Sequence, residues 1–118
     1  MGYDDYYNIE GEFEEKLMSR KKCAWSVYVL ALYNNLMEEI VFVRYNNLEM
    51  PTKTMLLKTY ETVKDYYFLT KLMSTDDFLE GTARAILQIC RHEKVWGDIQ
   101  YNYILYFLKN KFISGLKN

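Results

Sequence analysis

The sequence is poor in the residues that interrupt helices and in those that build covalently linked scaffolds. Its 118 residues include one Pro, five Gly, two Cys and a single His. Half of the residues are hydrophobic and a quarter are charged, which excludes a disordered chain and a loop-rich scaffold. A small secreted domain held by disulfides normally carries more cysteines than Cys23 and Cys90, so we expect a reducing compartment. This length predicts one domain spanning residues 1–118.

The sequence also lacks an excess of positive or negative charge. The formal net charge is −1, and nucleic-acid binding, which relies on excess Lys and Arg to neutralise phosphates, is disfavoured. The acidic first fifteen residues predict no secretory signal. The longest apolar runs, 27–33 and 101–108, fall well short of the roughly 20 residues that cross a bilayer. We therefore expect membrane contact only through an anchor beyond residue 118.

Apolar residues recur every three or four positions in the first half of the chain, which predicts a long helix. They are Cys23, Val27, Leu30, Tyr33 or Asn34, Met37, and Ile40 or Val41. Asn46, Asn47 and Pro51 interrupt this pattern, so a second helix should begin near Pro51. Its own apolar spacing continues to about Met73.

Ser74 with Asp77 three positions later predicts the N-terminal cap of a third helix, which should end near residues 91–94. The last helix, from about Val95 to Ile113, is apolar almost all round, and such a helix is typical of the centre of a bundle. We therefore predict an all-α fold: a compact bundle of about five or more helices around a central hydrophobic helical hairpin.

Residues that could carry catalysis are scattered. His92 follows Cys90 by two positions, but a zinc site needs about four ligands, and the two side chains would point in different directions on a helix. The five glycines match no phosphate-binding fingerprint. We expect no enzyme activity, no metal and no cofactor.

Aromatic residues are abundant, with twelve Tyr among them, and six Met accompany them. Tyr is favoured where a ring is covered and its oxygen is wet, and Met suits a groove that accepts a helix. Either an interaction surface or plain core packing explains this composition. A small chain with such a surface also suggests a homodimer.

The stretch from Thr59 to Ile89 has a more particular pattern. An apolar helix ending at residues 68–73 leads through an acidic capped turn into Glu80-Gly81-Thr82-Ala83-Arg84, which opens a buried helix. This order resembles the first homology region of the Bcl family of apoptosis regulators, in the divergent form of its shortened viral members. In that family the turn leads into Asn-Trp-Gly-Arg; here Ala83 stands at the small position and Arg84 at the Arg, while Gly81 and Thr82 replace Asn and Trp. A second register places Trp96, Gly97 and Asp98 on the same motif.

The resemblance implies an apoptosis inhibitor of the host cytoplasm or mitochondrial surface. Such a protein holds the amphipathic death helix of a pro-apoptotic host protein in a hydrophobic groove. In the first register the groove would lie between the helix after Lys22 and the helix from Pro51, and Arg84 would face an acidic residue of the bound helix. The other candidate partner-binding residues are Val41, Tyr45, Tyr60, Val63, Tyr67 and Ile86.

A different class of function is also compatible with the sequence. The chain could be a small phage or bacterial inhibitor, immunity or adaptor protein that binds an enzyme through an acidic N-terminal face, since negative charge would steer it to a basic surface. The acidic residues of this face are Asp4, Asp5, Glu10, Glu12, Glu14 and Glu15.

Overall fold

A computed structural model describes the backbone of residues 2–49 and 51–117 and the side chains of residues 22–49 and 51–112. The described residues form a compact all-helical bundle without a strand, which confirms the predicted fold class. The α-helices are α1 (Gly2–Asn46), α2 (Lys53–Asp65), α3 (Thr75–His92) and α4 (Tyr101–Lys117), and a short 3-10 helix covers Tyr67–Lys71. A Bcl-like arrangement of five or more helices is not confirmed.

Helix α1 is the longest helix of the bundle, and both α2 and α3 pack against it. Helix α4 packs against α3 and α2. The predicted long helix is confirmed, but its buried face is a different one from the apolar row predicted at Cys23, Val27 and Leu30. The residues of α1 that enter the core are Tyr28, Leu32, Leu36, Ile40 and Val43. Both faces of this helix are apolar, so periodicity alone could not select the face that packs inward.

The starts of α2 and α3 follow the capping rules. The Ser74 hydroxyl accepts a hydrogen bond from the Asp77 amide at 3.1 Å, as the sequence predicted. Thr52 caps α2 in the same way by accepting from the Met55 amide at 3.1 Å. The Thr52 hydroxyl also donates to the carboxylate of Glu39, which is buried although its neighbour Glu38 is exposed. This bond ties the start of α2 to α1.

Two helix boundaries differ from those predicted. The second helix ends at Asp65 rather than near Met73, and the chain continues as the 3-10 helix. The last helix begins at Tyr101 and buries only one face, through Ile104, Leu108 and Phe112. Tyr103 and Tyr106 are 51% and 70% exposed, so the prediction of a central last helix holds only for the face that carries the fully buried Ile104. Tyr satisfies an apolar period while leaving its hydroxyl in water.

The ends of α1 and α3 are closed by residues in the left-handed region. Asn47 has a φ of 52°, and the Leu48 amide donates back to the Val43 carbonyl at 3.1 Å. Lys94 has a φ of 56°, and the Val95 amide donates to the Cys90 carbonyl at 3.0 Å. These are Schellman closures, which satisfy carbonyl groups at the end of a helix.

A buried polar pair joins α1 to α3 inside the core. The oxygen atoms of Tyr28 and Thr82 are 2.6 Å apart, and both side chains are fully buried. The Thr82 hydroxyl donates its proton to the Phe78 carbonyl at 2.7 Å, so the proton of the pair comes from Tyr28. Burial raises the pKa of the Tyr28 hydroxyl, which therefore stays protonated and able to donate.

In the described residues, one helical stretch is long and apolar enough to cross a membrane by length and composition. It is Lys22–Asn46 of α1, with a mean hydropathy of 1.2. The core helix of a bundle meets the same criterion, and this stretch contributes the five core residues of α1.

We predict unequal costs for removing the two partners of the buried pair. Thr82→Val should lower the free energy of unfolding by about 1–3 kcal/mol, because it leaves a buried Tyr28 hydroxyl without an acceptor. Tyr28→Phe should cost only about 0.5–1.5 kcal/mol, because the Thr82 proton keeps its carbonyl acceptor. Urea unfolding measures both values, with Thr82→Ser as the control that retains the hydroxyl. A larger loss for Tyr28→Phe would contradict the assigned direction of the bond.

Candidate functional site

The candidate site is a groove on the surface between α1 and α3, with a volume of about 700 Å³. Its walls are two helical rows. The lining residues are Trp25, Ser26, Val29, Leu30 and Tyr33 on α1, and Gly81, Arg84, Ala85, Gln88 and Ile89 on α3. Residues recur in each row every three or four positions, as expected for one face of a helix. The groove is therefore apolar, with a few polar groups along it.

A close contact between Trp25 and Gly81 closes one end of the groove. A Cβ atom built at Gly81 would lie 2.7 Å from Cη2 of the Trp25 ring. Only glycine leaves room for the indole against α3 at this point. The ring also packs edge-on against Phe78, with ring centroids 6.5 Å apart. Gly81 thus allows α1 and α3 to approach where the groove begins.

Arg84 is the cation of the groove. It is exposed on α3, three residues after Gly81 and one after the fully buried Ala83. Among the residues with described side chains the ion pairs are Arg44–Glu93 and Lys58–Glu38, so Arg84 is not paired with Glu80. Within the described part of the chain its guanidinium group has no acidic partner, and Arg84 lines the groove.

A polar cluster lies at the other end of the groove, which is lined there by Tyr33. The Tyr33 hydroxyl donates to Oε1 of Glu93 at 2.7 Å, and Arg44 donates to Oε2 of the same carboxylate at 2.6 Å. Arg44 also donates to the Glu93 carbonyl at 2.5 Å. Glu93 is the C-cap residue of α3, so these bonds tie the end of α3 to α1.

These bonds shift both titrating groups of the cluster. The hydrogen bond from Tyr33, followed by that from Arg44, holds the pKa of the Glu93 carboxyl below its usual value. The same bond to Glu93 raises the pKa of the Tyr33 hydroxyl. Near neutral pH the cluster is therefore a carboxylate that accepts from a neutral phenol and a guanidinium.

The partner-binding residues predicted from the sequence do not form one surface. Arg84 lines the groove, whereas Val63 and Ile86 are fully buried in the core. Val41 and Tyr45 are 56% and 87% exposed on the outer side of α1. The other two lie elsewhere: Tyr60 is half-buried on α2, and Tyr67 is 44% exposed on the 3-10 helix. The groove lies between α1 and α3 rather than between α1 and the helix that follows Pro51.

The second register of the family motif lies in the connection between α3 and α4. Trp96 is 4% exposed with a φ of 48°, and its indole nitrogen has no hydrogen-bond partner among the described residues. A Cβ atom built at Gly97 would meet open space, so the close packing found at Gly81 is not needed there. The Trp–Gly pair thus stands before α4 rather than opening a buried helix.

The thiols and the histidine lie apart from the groove. Cys90 is buried, and that burial raises the pKa of its thiol to about 11, whereas Cys23 is exposed on α1. His92 is exposed in the last turn of α3. The residues that the structure describes contain no group of three or more His, Cys, Asp or Glu placed to hold a metal ion. The acidic N-terminal face predicted at residues 4–15 lies outside the described side chains.

Sequence reasoning missed most of the groove-lining residues. Two signals pointed to them. Gly81 is an isolated glycine within a helical pattern, which often marks close packing. The second signal is Trp25, a large aromatic residue of the predicted long helix that lies outside the predicted apolar row. Comparison with protein-family models, curated proteins and solved structures gave no match.

The Glu93 cluster predicts a pH dependence of stability. Because the pKa of Glu93 is lower in the folded chain than the usual value of 4.5, the stabilisation that Glu93 contributes is complete above pH 4.5 and is lost as the pH falls through the folded pKa. Glu93→Gln should therefore flatten the fall in unfolding free energy below about pH 4.5, measured by urea unfolding at each pH. Glu61→Gln, which removes an exposed carboxylate from α2, is the matched control. Parallel curves for wild type and Glu93→Gln would contradict this role.

Proposed function

We propose that this chain binds an amphipathic helix of another protein in the groove between α1 and α3. The observation that carries the proposal is an apolar groove walled by two helices, with the exposed Arg84 on its α3 side. Helix-in-groove recognition needs a trough for side chains at three- and four-residue spacing and polar groups that fix their orientation. Both features are present on this surface.

The length of the groove suits a short helical segment. The α1 wall runs from Trp25 to Tyr33 and the α3 wall from Gly81 to Ile89, so each spans about 12 Å at 1.5 Å per residue. Two turns of a bound helix cover nearly the same distance. A partner with apolar residues at positions i, i+4 and i+7 would therefore fill the groove from end to end.

The charge of the groove favours an acidic residue on the partner. Among the lining residues whose side chains are described, Arg84 is the single cation and none is Asp or Glu. A guanidinium group can bind a carboxylate through two parallel hydrogen bonds. An Asp or Glu of the bound helix opposite Arg84 would fix the register of that helix along the groove.

This arrangement supports a Bcl-type role for the chain. The resemblance to the first homology region of that family puts its Arg at Arg84, the residue that lines the groove on its α3 side. We propose on this basis that the chain acts as an apoptosis inhibitor of viral type, and that the bound segment is the death helix of a pro-apoptotic host protein. The family pairs that helix's Asp with an Arg, which agrees with the cation found here.

The proposal predicts binding of helical peptides and a specific loss when Arg84 is removed. Calorimetric titration with a panel of death-helix peptides should show binding, and Arg84→Ala should weaken it by about 1.5–3 kcal/mol, or roughly ten- to a hundredfold. Arg91→Ala is the matched control, because Arg91 is exposed on the same helix outside the groove. Arg84→Glu should restore affinity for a peptide whose Asp is replaced by Lys.

Each outcome of this titration decides a separate point. Absence of binding at high micromolar peptide concentration would reject the Bcl-type function. Binding that is equally strong in Arg84→Ala would leave the groove as the site but would remove the assigned role of Arg84. Binding that is lost equally in Arg91→Ala would indicate general charge attraction rather than a positioned contact.

A further inference from the structure

The outer face of α1 carries a row of residues at alternating four- and three-residue spacing. We name this row the outer seam; its members are Cys23, Val27, Leu30, Asn34, Met37, Val41 and Arg44. Most of the row lies on the side of α1 opposite to the core residues Tyr28, Leu32, Leu36 and Val43. Met37 is half-buried at the edge of the row against the core, and Leu30 also lines the groove. The pattern is a heptad repeat with Val27, Asn34 and Val41 at its a positions and the other four residues at its d positions.

Three apolar residues of the outer seam are exposed. Val27, Leu30 and Val41 are 51%, 59% and 56% exposed. The sequence contains no charged residue between Lys22 and Glu38, so more than three turns of the exposed side of α1 lack the Lys and Glu typical of a solvated helix face. Exposed apolar rows of this kind mark interaction surfaces.

The residue types at the a and d positions identify the partner as a second copy of the chain. Val27 and Val41 at a positions and Leu30 at one of the four d positions follow the pattern that favours two parallel strands, and a single Asn at an a position fixes register and a two-stranded state. In such a pair Asn34 meets Asn34 of the other copy, and each amide offers both a donor and an acceptor. The seam is therefore complementary to itself, as a two-fold symmetric interface requires.

We propose that two copies of this chain associate through their outer seams as a short parallel coiled coil. The seam runs from Cys23 to Arg44, which is three heptads and about 33 Å. The rest of each copy lies behind its own α1, so the two bundles stand on opposite sides of the coiled coil. The last d residue, Arg44, is held by Glu93, which neutralises its charge where two copies would otherwise bring like charges together.

Sedimentation equilibrium of the full chain tests the interface. We expect a concentration-dependent dimer, and Val41→Asp should weaken dimerisation at least about tenfold because it places a charge in the buried seam. Phe42→Asp is the matched control: Phe42 is 51% exposed on the same helix but lies outside the seam, so the dimer should persist. A chain that is monomeric at high concentration, or equal losses in the two variants, would overturn the proposal.

Asn34→Val should strengthen association of the two copies, whereas a substitution of an exposed residue outside the interface should not. Removing the buried polar pair should tighten association at least about tenfold or admit higher oligomers, because a-position Asn lowers stability while specifying the dimer. Circular dichroism confirms that the variant is folded. Association that is unchanged by Asn34→Val would place Asn34 outside the interface and overturn the proposal.

Cys23 reports the direction of the two helices. In a parallel pair the d-position Cys23 faces Cys23 of the other copy, near the Cα separation of about 4.4–6.8 Å that a disulfide needs. A mild added oxidant, which takes up the two electrons and two protons lost by the thiols, should give a covalent dimer in the wild type and none in Cys23→Ser. Dimers that fail to cross-link under these conditions would overturn the parallel arrangement.

Discussion

The close approach of α1 to α3 is the contact on which the rest of this structure depends. Trp25 lies against α3 where Gly81 has no side chain. Nearly one turn further along α1, the hydroxyl groups of Tyr28 and Thr82 meet inside the core. The first contact requires an absent Cβ atom, and the second requires two buried polar groups to find each other. Because Gly81 and Thr82 precede Arg84 by less than one turn of α3, these two contacts also position the start of the groove and its cation.

Polar bonds at the ends of helices hold the remaining elements in place. Glu93 joins the C-terminal end of α3 to Tyr33 and Arg44 of α1. The buried Glu39 accepts from Thr52 and so joins α1 to the start of α2. In each case one partner is the capping residue of a helix, since Glu93 is the C-cap of α3 and Thr52 is the N-cap of α2. The hydrophobic core brings the helices together, and these bonds set their positions along one another.

The helices themselves could be predicted from the sequence, but the choice of buried face could not. The cap at Ser74 and the helix start near Pro51 were readable because both depend on local residues. Helix α1 has two apolar faces, since Val27 and Leu30 repeat at the same period as Tyr28 and Leu32, and only tertiary contacts decide which row is buried. The candidate site illustrates the same limit. Arg84 was found from a motif, whereas Trp25 and Tyr33 join it through contacts between residues more than fifty positions apart in the chain.

Because one cysteine is buried and the other is exposed, their rates of alkylation can be compared to measure local unfolding of α3. The Cys90 thiol is buried and its pKa is raised to about 11, so it presents almost no thiolate to a reagent while α3 stays packed. Its rate of alkylation in a monomeric sample therefore reports the equilibrium population of molecules in which α3 has separated from its neighbours. Cys23 is exposed on α1 and reacts without that opening. The ratio of the two rates measures the free energy of local unfolding at the helix that carries Arg84.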